Sequence, residues 1–435
     1  MEEHKDEREE LNRQEENPHE ETEHEGTQEY SFLQETIKDE AGGRSKVRKD
    51  IFRMILFGLL FGLAASAGFC AFQPWFEKTL QSDDPKQVTI PQEEEEEDVA
   101  AQEEEQAEPV QILDADSYRQ MQQSLTGIAT EASRAVVEIT GVIGEQDWME
   151  ESYGNKNRVS GLIVADNGQE LLIFGKTSIL EDASDIQVKF PDGRSYQASL
   201  KKQDGNLGFG IYAVSKSGIL ESTWAQIKTA TLGSSNSVVK GETAIVLGSP
   251  FGYWGGMGFG TVASNKNYKE AADGAYRLVC TDIAGAKNGS GVIVNLKGEV
   301  IGMIDQEIFE EESLELITGF GISDMKTVIE FLSNGQGVPY IGIHGVDVTD
   351  EIEEQGIPNG IYVKEVEVDS PAMAAGIQSG DIITSISGKE VENMTSYHAV
   401  LMEKKSGNTI KIRGKRQGAG GYVNIDFSVT VGSKE

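Results

Sequence analysis

The stretch TDIAGAKNGSGVIVNLKGEV, Thr281–Val300, sets Ser290 among glycines, ahead of an apolar run and a Lys-Gly turn. That is the local setting in which a serine hydroxyl can be presented for acyl transfer. Such a hydroxyl is a weak nucleophile at its free pKa and needs a positioned base. The usual base is an imidazole oriented by a buried carboxylate. The five histidines are His4, His19, His24, His344 and His398, so none lies between residues 25 and 343. Lysine can replace histidine if burial strips its proton. Lys176 in GKTS and Lys287 in GAKNGS are the nearest candidates, and neither context demands burial. Zinc chemistry is disfavoured, because the region offers Cys280 and no histidine. The glycines of YWGGMGFG lack the strand-turn-helix setting of a phosphate loop and read as a turn between strands. No cofactor or metal is implied.

The elements that must carry this segment are short and β-rich. Runs such as AVVEIT, SGLIVA, ELLIFG, FGIYAV, TAIVLGS, RLVCTD, GVIVNL and EVIGMI recur from Ala135 to about Leu332, separated by Gly-rich or Asp-Gly turns. Many short strands at such spacing predict a mainly β fold, a sandwich or barrel. Helical stretches are expected at about 116–130 and 324–332. After SNGQGVP a second β-rich unit with two helices begins near Tyr340.

The 435 residues carry a net charge of -35, unevenly placed. Residues 1–43 hold 16 acidic and 4 basic side chains, and residues 77–118 hold 15 and 2. Both stretches are poor in large apolar residues and read as solvated spacers. No basic patch offers a nucleic acid the counterion release it needs. From Met54 to Phe72 the chain is uncharged, and as a helix it would span about 28 Å, near the hydrocarbon thickness. Arg44, Lys46, Arg48, Lys49 and Arg53 precede it. The positive-inside rule therefore predicts a single-pass anchor in the cell membrane, with residues 1–50 cytoplasmic and everything after the anchor outside. The expected layout is a disordered tail (1–50), a transmembrane helix (51–73), a disordered acidic linker (74–118), a barrel domain (119–333) and a small β domain (338–435). Cys70 and Cys280 lie in unlike surroundings and are not expected to pair.

Several segments together resemble the HtrA/Deg family. SGLIV at Ser160–Val164, LGSSNSVVKGETAIVLGSPFG at Leu232–Gly252, the nucleophile-loop segment and TGFGISDMKTVIEFL resemble its chymotrypsin-like double β-barrel. DSPAMAAGIQSGDIITSISGKEV at Asp369–Val391 resembles its PDZ domain. The resemblance implies a trypsin-like serine protease fold with a C-terminal PDZ domain. Gapless matching places Ser178 at the family's histidine, Gly208 at its aspartate and Gly289 at its serine, while Lys287 replaces an oxyanion-loop glycine. A one-residue shift would instead make Ser290 the nucleophile. The degenerate triad implies a pseudoprotease; a serine endopeptidase using Ser290 is the alternative. In the PDZ domain, the YIGI loop (Tyr340, Ile341, Gly342, Ile343) resembles the carboxylate-binding loop, with Tyr397, His398 and Leu401 on the groove helix. The implied partners are peptide C-termini or unfolded proteins and active HtrA-like relatives, with the lipid bilayer holding the anchor. A homo-oligomer is compatible with this reading.

Overall fold

The computed structural model describes residues 86–91, 114–142, 157–180, 183–308 and 316–435. The apolar run Met54–Phe72 and the acidic tail lie outside them. Among the described residues, no helix is long and apolar enough to cross a membrane.

Two six-stranded antiparallel barrels form the first part. The first contains β1 (Val136–Val142), β2 (Arg158–Asp166), β3 (Glu170–Lys176), β4 (Asp185–Lys189), β5 (Ser195–Asp204) and β6 (Phe209–Ser215), closed in the order β1-β2-β3-β6-β5-β4. The second contains β7 (Thr243–Ser249), β8 (Gly256–Ala271), β9 (Gly274–Ala284), β10 (Ser290–Val294), β11 (Val300–Asp305) and β12 (Leu316–Gly321), closed as β10-β11-β12-β9-β8-β7.

The sequence runs show why these strands read as continuously apolar. In a strand, successive side chains point to opposite faces. In β3, Leu171 and Ile173 fill the interior of the first barrel, whereas Leu172 and Phe174 join a core shared with the second barrel. In β10, Val292 and Val294 join that shared core and Ile293 fills the second barrel. Both faces are buried, so alternation is lost. Phe209 anchors the seam, stacked on Phe174 at 5.0 Å and edge-on to Phe320 at 5.8 Å.

Helix α1 (Ala115–Ser133) starts where Asp114 caps it by accepting from the Ser117 amide at 2.8 Å, and it buries Ala129 and Ala132. It therefore begins inside the stretch expected as linker and outruns the expected 116–130. Residues 86–91 correct the linker expectation too. Val88 and Ile90 are buried, and Val88 exchanges hydrogen bonds with the Asn334 side chain at 2.8 Å in each direction. Burying these two apolar side chains is favourable. Helix α2 (Ile322–Ser333) closes the barrel region and buries Met325, Val328, Ile329 and Leu332.

The final unit is a six-stranded sheet of β13 (Ile343–Asp347), β14 (Ile361–Val366), β15 (Ile382–Ile386), β16 (Lys389–Glu390), β17 (Thr409–Gly418) and β18 (Gly421–Thr430). Helix α3 (Met394–Met402) packs on it through Tyr397 and Leu401, both fully buried. The apolar run YIGIHGV, which opens this unit, is strand only in its second half. Tyr340 makes an isolated bridge with Gly432, and Gly342 has a φ of +88°, a conformation glycine adopts without penalty. Only from Ile343 onward does the segment pair with β14.

Candidate active cleft and peptide groove

At the barrel cleft the backbone brings the expected positions together. Ser178 opens a single 3-10 turn after β3, and Gly208 precedes β6. The Thr177 amide donates to the Gly208 carbonyl at 2.9 Å, so the two positions are neighbours. Both line a cavity of about 700 Å³, together with Lys176 and Asp305. None of these side chains is a base set to accept a proton from a serine. Lys176 donates to Asp305 Oδ1 at 2.8 Å and also to Glu307. Burial alone would depress its pKa, but the two carboxylates outweigh burial and hold the ammonium above its ordinary range. Lys287 is exposed.

The nucleophile loop is closed on itself. The Ala286 amide donates to the Pro250 carbonyl at 2.9 Å, and the Gly289 amide donates to the Ala286 carbonyl at 2.8 Å. A Cβ at position 289 would meet the Pro250 oxygen at 2.6 Å and the Ala286 oxygen at 2.8 Å, so the turn as built has no room for a serine there. Ser290 begins β10, with Ser249 and Asp305 as its cross-strand partners. It is buried in the seam between barrels, where its Oγ accepts from the Ser160 amide at 2.9 Å and lies 3.3 Å from Ser160 Oγ. The structure thus gathers Ser178 and Gly208 but turns Ser290 toward β2.

The groove of the second unit is built from main-chain donors. The amides of Ile341 and Gly342 donate to Asp273 Oδ2 at 2.6 and 2.7 Å, and the Ile343 amide to Oδ1 at 3.1 Å. The Tyr397 hydroxyl donates to the same Oδ1 at 2.7 Å. His398 Nδ1 lies 3.0 Å from the Asp273 carbonyl, which can only accept, so this nitrogen carries a proton. Leu401 is buried beneath, in the core of the unit. Tyr340 faces elsewhere: its hydroxyl donates to Glu367 at 2.6 Å. Glu367 also takes Lys434 at 2.7 Å and faces His344 at 3.1 Å. Partial burial works against its charge, yet these partners prevail and hold its carboxyl down at about 2.

Residues 159–303 match the trypsin-like peptidase domain, and residues 339–427 match the PDZ domain. The chain is 24% identical over 277 residues to the serine protease Do-like HtrA of Lactobacillus helveticus, covering 60% of this chain and 65% of that one. It is 27% identical over 281 residues to the corresponding Bacillus subtilis (strain 168) protein, covering 60% and 61%. The matches thus span a little under two thirds of these relatives' length. A solved HtrA-type protease, AlgW with a decapeptide, superposes with a TM-score of 0.50 at 20% identity, covering 71% of this chain and 99% of that one. This chain is of the HtrA/Deg type.

In this HtrA-type chain five of the seven residues expected at the groove meet Asp273, a residue not singled out from the sequence. Asp273 lies in EAADGAY, where an Asp-Gly pair between two strand-like runs signals a hairpin tip. That signal gives the turn and says nothing of where the tip is seated. The YWGGMGFG glycines divide between a turn and the start of β8.

Proposed function

We propose that this chain is a membrane-anchored HtrA-type protein that hydrolyses no peptide bonds and acts by binding. Its ligands are peptide C-termini or unfolded chains met outside the membrane, and it serves as an adaptor or regulator of active relatives. The observation that carries the reading is Gly289. It has no nucleophile, its turn has no room for one, and its amide is already bonded to Ala286. In the trypsin arrangement the nucleophile's own amide is an oxyanion donor, so this loop lacks that donor as well. No histidine lies in residues 25–343, Lys176 is held protonated by Asp305 and Glu307, and His344, which lines the same cavity, is engaged with Glu367 at 3.1 Å.

The deciding experiment exposes the full chain to a fluorophosphonate probe and to an unfolded protein substrate, beside an active HtrA enzyme. No labelling and no cleavage are expected, and Ser290→Ala changes nothing. Activity that disappears in Ser290→Ala overturns the reading and makes Ser290 the nucleophile. Topology rests on the basic residues ahead of Met54–Phe72. Protease added to intact cells, after any wall is removed, should digest the barrels and spare residues 1–50; the opposite pattern reverses the orientation.

A further inference from the structure

The longest hairpin of the second barrel, β8–β9, ends in the two residues Ala272 and Asp273, between paired Ala271 and Gly274. Asp273 adopts a left-handed φ of 61°, which aspartate tolerates better than most side chains. Its carboxylate meets three converging amides, those of Ile341, Gly342 and Ile343, and the Tyr397 hydroxyl. Its own amide donates to the Ile343 carbonyl at 2.7 Å, at the start of β13. β13 is an edge strand of its sheet, paired only with β14. The tip therefore makes both kinds of bond that a C-terminal peptide would make here: a carboxylate in an amide nest and a main-chain bond to an edge strand.

The fit extends to the neighbours. A Cβ at Gly274 would meet His398 Nδ1 at 2.7 Å, so a larger residue there would push the groove helix away. Asn206 Nδ2 holds the Ala272 carbonyl at 2.7 Å, and the Gly205 amide donates to the Lys434 carbonyl at 2.9 Å. The first barrel thus braces the tip and also grips the PDZ unit. Each amide has a single proton to donate. A peptide carboxylate and the Asp273 carboxylate cannot both hold the nest.

We infer that Asp273 is an internal ligand of the PDZ loop, seated where an incoming C-terminal carboxylate would sit, so that peptide binding requires the β8–β9 tip to leave. The inference rests on the reading that this loop captures free C-termini. If the tip is docked in 90–99% of molecules, apparent peptide affinity falls about ten- to a hundredfold below the open value.

Two measurements on the full chain separate the inference from that reading. The first is amide hydrogen exchange at Ile341, Gly342 and Ile343. Asp273→Ala should speed exchange at these three amides at least tenfold while the amides of β15 and β17 keep wild-type protection. Asp273→Asn, which keeps the shape of the tip, should give a smaller acceleration. The second measures binding of a random pool of decapeptides with free C-termini, and of the same pool amidated. Asp273→Ala should bind the free pool at least tenfold more tightly than the wild type, and the amidated pool no better. Unchanged exchange overturns the internal-ligand inference. Faster exchange without tighter binding also overturns it, because the tip would then block nothing. A gain that is equal for free and amidated pools leaves the tip as a blocker and overturns carboxylate capture instead.

Discussion

At the barrel cleft, chemistry would have to come from side chains; at the PDZ groove it comes from the backbone. The cleft keeps its architecture: Thr177 bonds to Gly208, and Ser178 and Gly208 share one cavity. What it lacks is an imidazole at 178, a carboxylate at 208 and a hydroxyl at 289; His344 reaches the cavity from the PDZ unit but faces Glu367 at 3.1 Å. Three residue identities empty such a site without disturbing a strand. The groove cannot be emptied that way, because every residue except proline carries an amide proton. A backbone nest is silenced by covering it, and here Asp273 covers it. On the function proposed above, the two sites differ in how they would be switched off, and so in how they could be switched on: the first by new side chains in a rebuilt loop, the second by moving one hairpin.

The largest effect tests the loop that lies between them. Asp204 is 2% exposed, and its carboxylate accepts from the amides of Leu207 and of Asn206, the residue that braces the tip. Burial raises its pKa from 3.8 to about 6; the two amides and Lys434 pull against that rise, and Asp273 adds to it. The folded chain therefore holds a proton that the unfolded chain has lost between pH 4 and 6. Stability from this group is full below pH 4 and falls as pH rises through 6, by on the order of 3 kcal/mol. Asp204→Asn cannot titrate. Urea unfolding at pH 4 and pH 7 should show the wild type losing that amount relative to the variant. A difference that stays constant with pH would mean that Asp204 is ionised in the fold at both.

Next in size is the attempt to refill the cleft. Gly289→Ser forces a Cβ against the backbone oxygens of Pro250 and Ala286. Overpacking of this kind costs about 1–3 kcal/mol. Combining it with Ser178→His and Gly208→Asp adds strain, because Gly208 has a φ of +71°. The triple variant should be less stable than the wild type and should remain unlabelled by fluorophosphonate. Labelling at wild-type stability would show that only the side chains are missing and that the loop is still competent.

The two sites were unequally legible. Strands β3, β6, β7 and β10 announced themselves as apolar runs; their number and spacing pointed to a sandwich or barrel, and the resemblance to the HtrA/Deg family pointed to the barrel pair. The seam was not legible as such, because a strand buried on both faces looks the same whichever neighbour covers it. The absence of histidine from residues 25–343 could be read directly, since it is a property of composition. The closure of the 286–289 turn was not, because it depends on the Pro250 carbonyl, more than thirty residues upstream. The seven groove residues followed from the YIGI loop and the helix after it. Five of them, Ile341, Gly342, Ile343, Tyr397 and His398, meet Asp273, whereas Leu401 lies in the core of the unit and Tyr340 turns to Glu367. Asp273 lies 68 residues before Ile341 in sequence, and no local pattern predicts such a pairing. Val88 and Ile90 were hidden in the same way, two apolar residues in an acidic stretch whose average composition argues against order.

The smallest effect sharpens the account of the groove itself. Tyr397 is fully buried, and its hydroxyl donates to Asp273 Oδ1 at 2.7 Å. Tyr397→Phe keeps the ring, which packs in the core of the unit, and removes that one donor. The carboxylate retains its three amides, so the tip should stay seated most of the time. A hydrogen bond to a charged group contributes about 1.5–3 kcal/mol, and its loss can be partly offset by relaxation of the remaining donors. Even a net cost near 1.4 kcal/mol makes tip opening about tenfold more frequent. Exchange at Ile341, Gly342 and Ile343 should therefore accelerate about tenfold, with the urea midpoint of the barrels unmoved. The barrel measurement matters, because a variant that loosens the whole chain would speed exchange everywhere. Acceleration confined to the nest assigns the hydroxyl to holding Asp273. Wild-type exchange at all three amides would mean that the backbone nest alone keeps the tip in place.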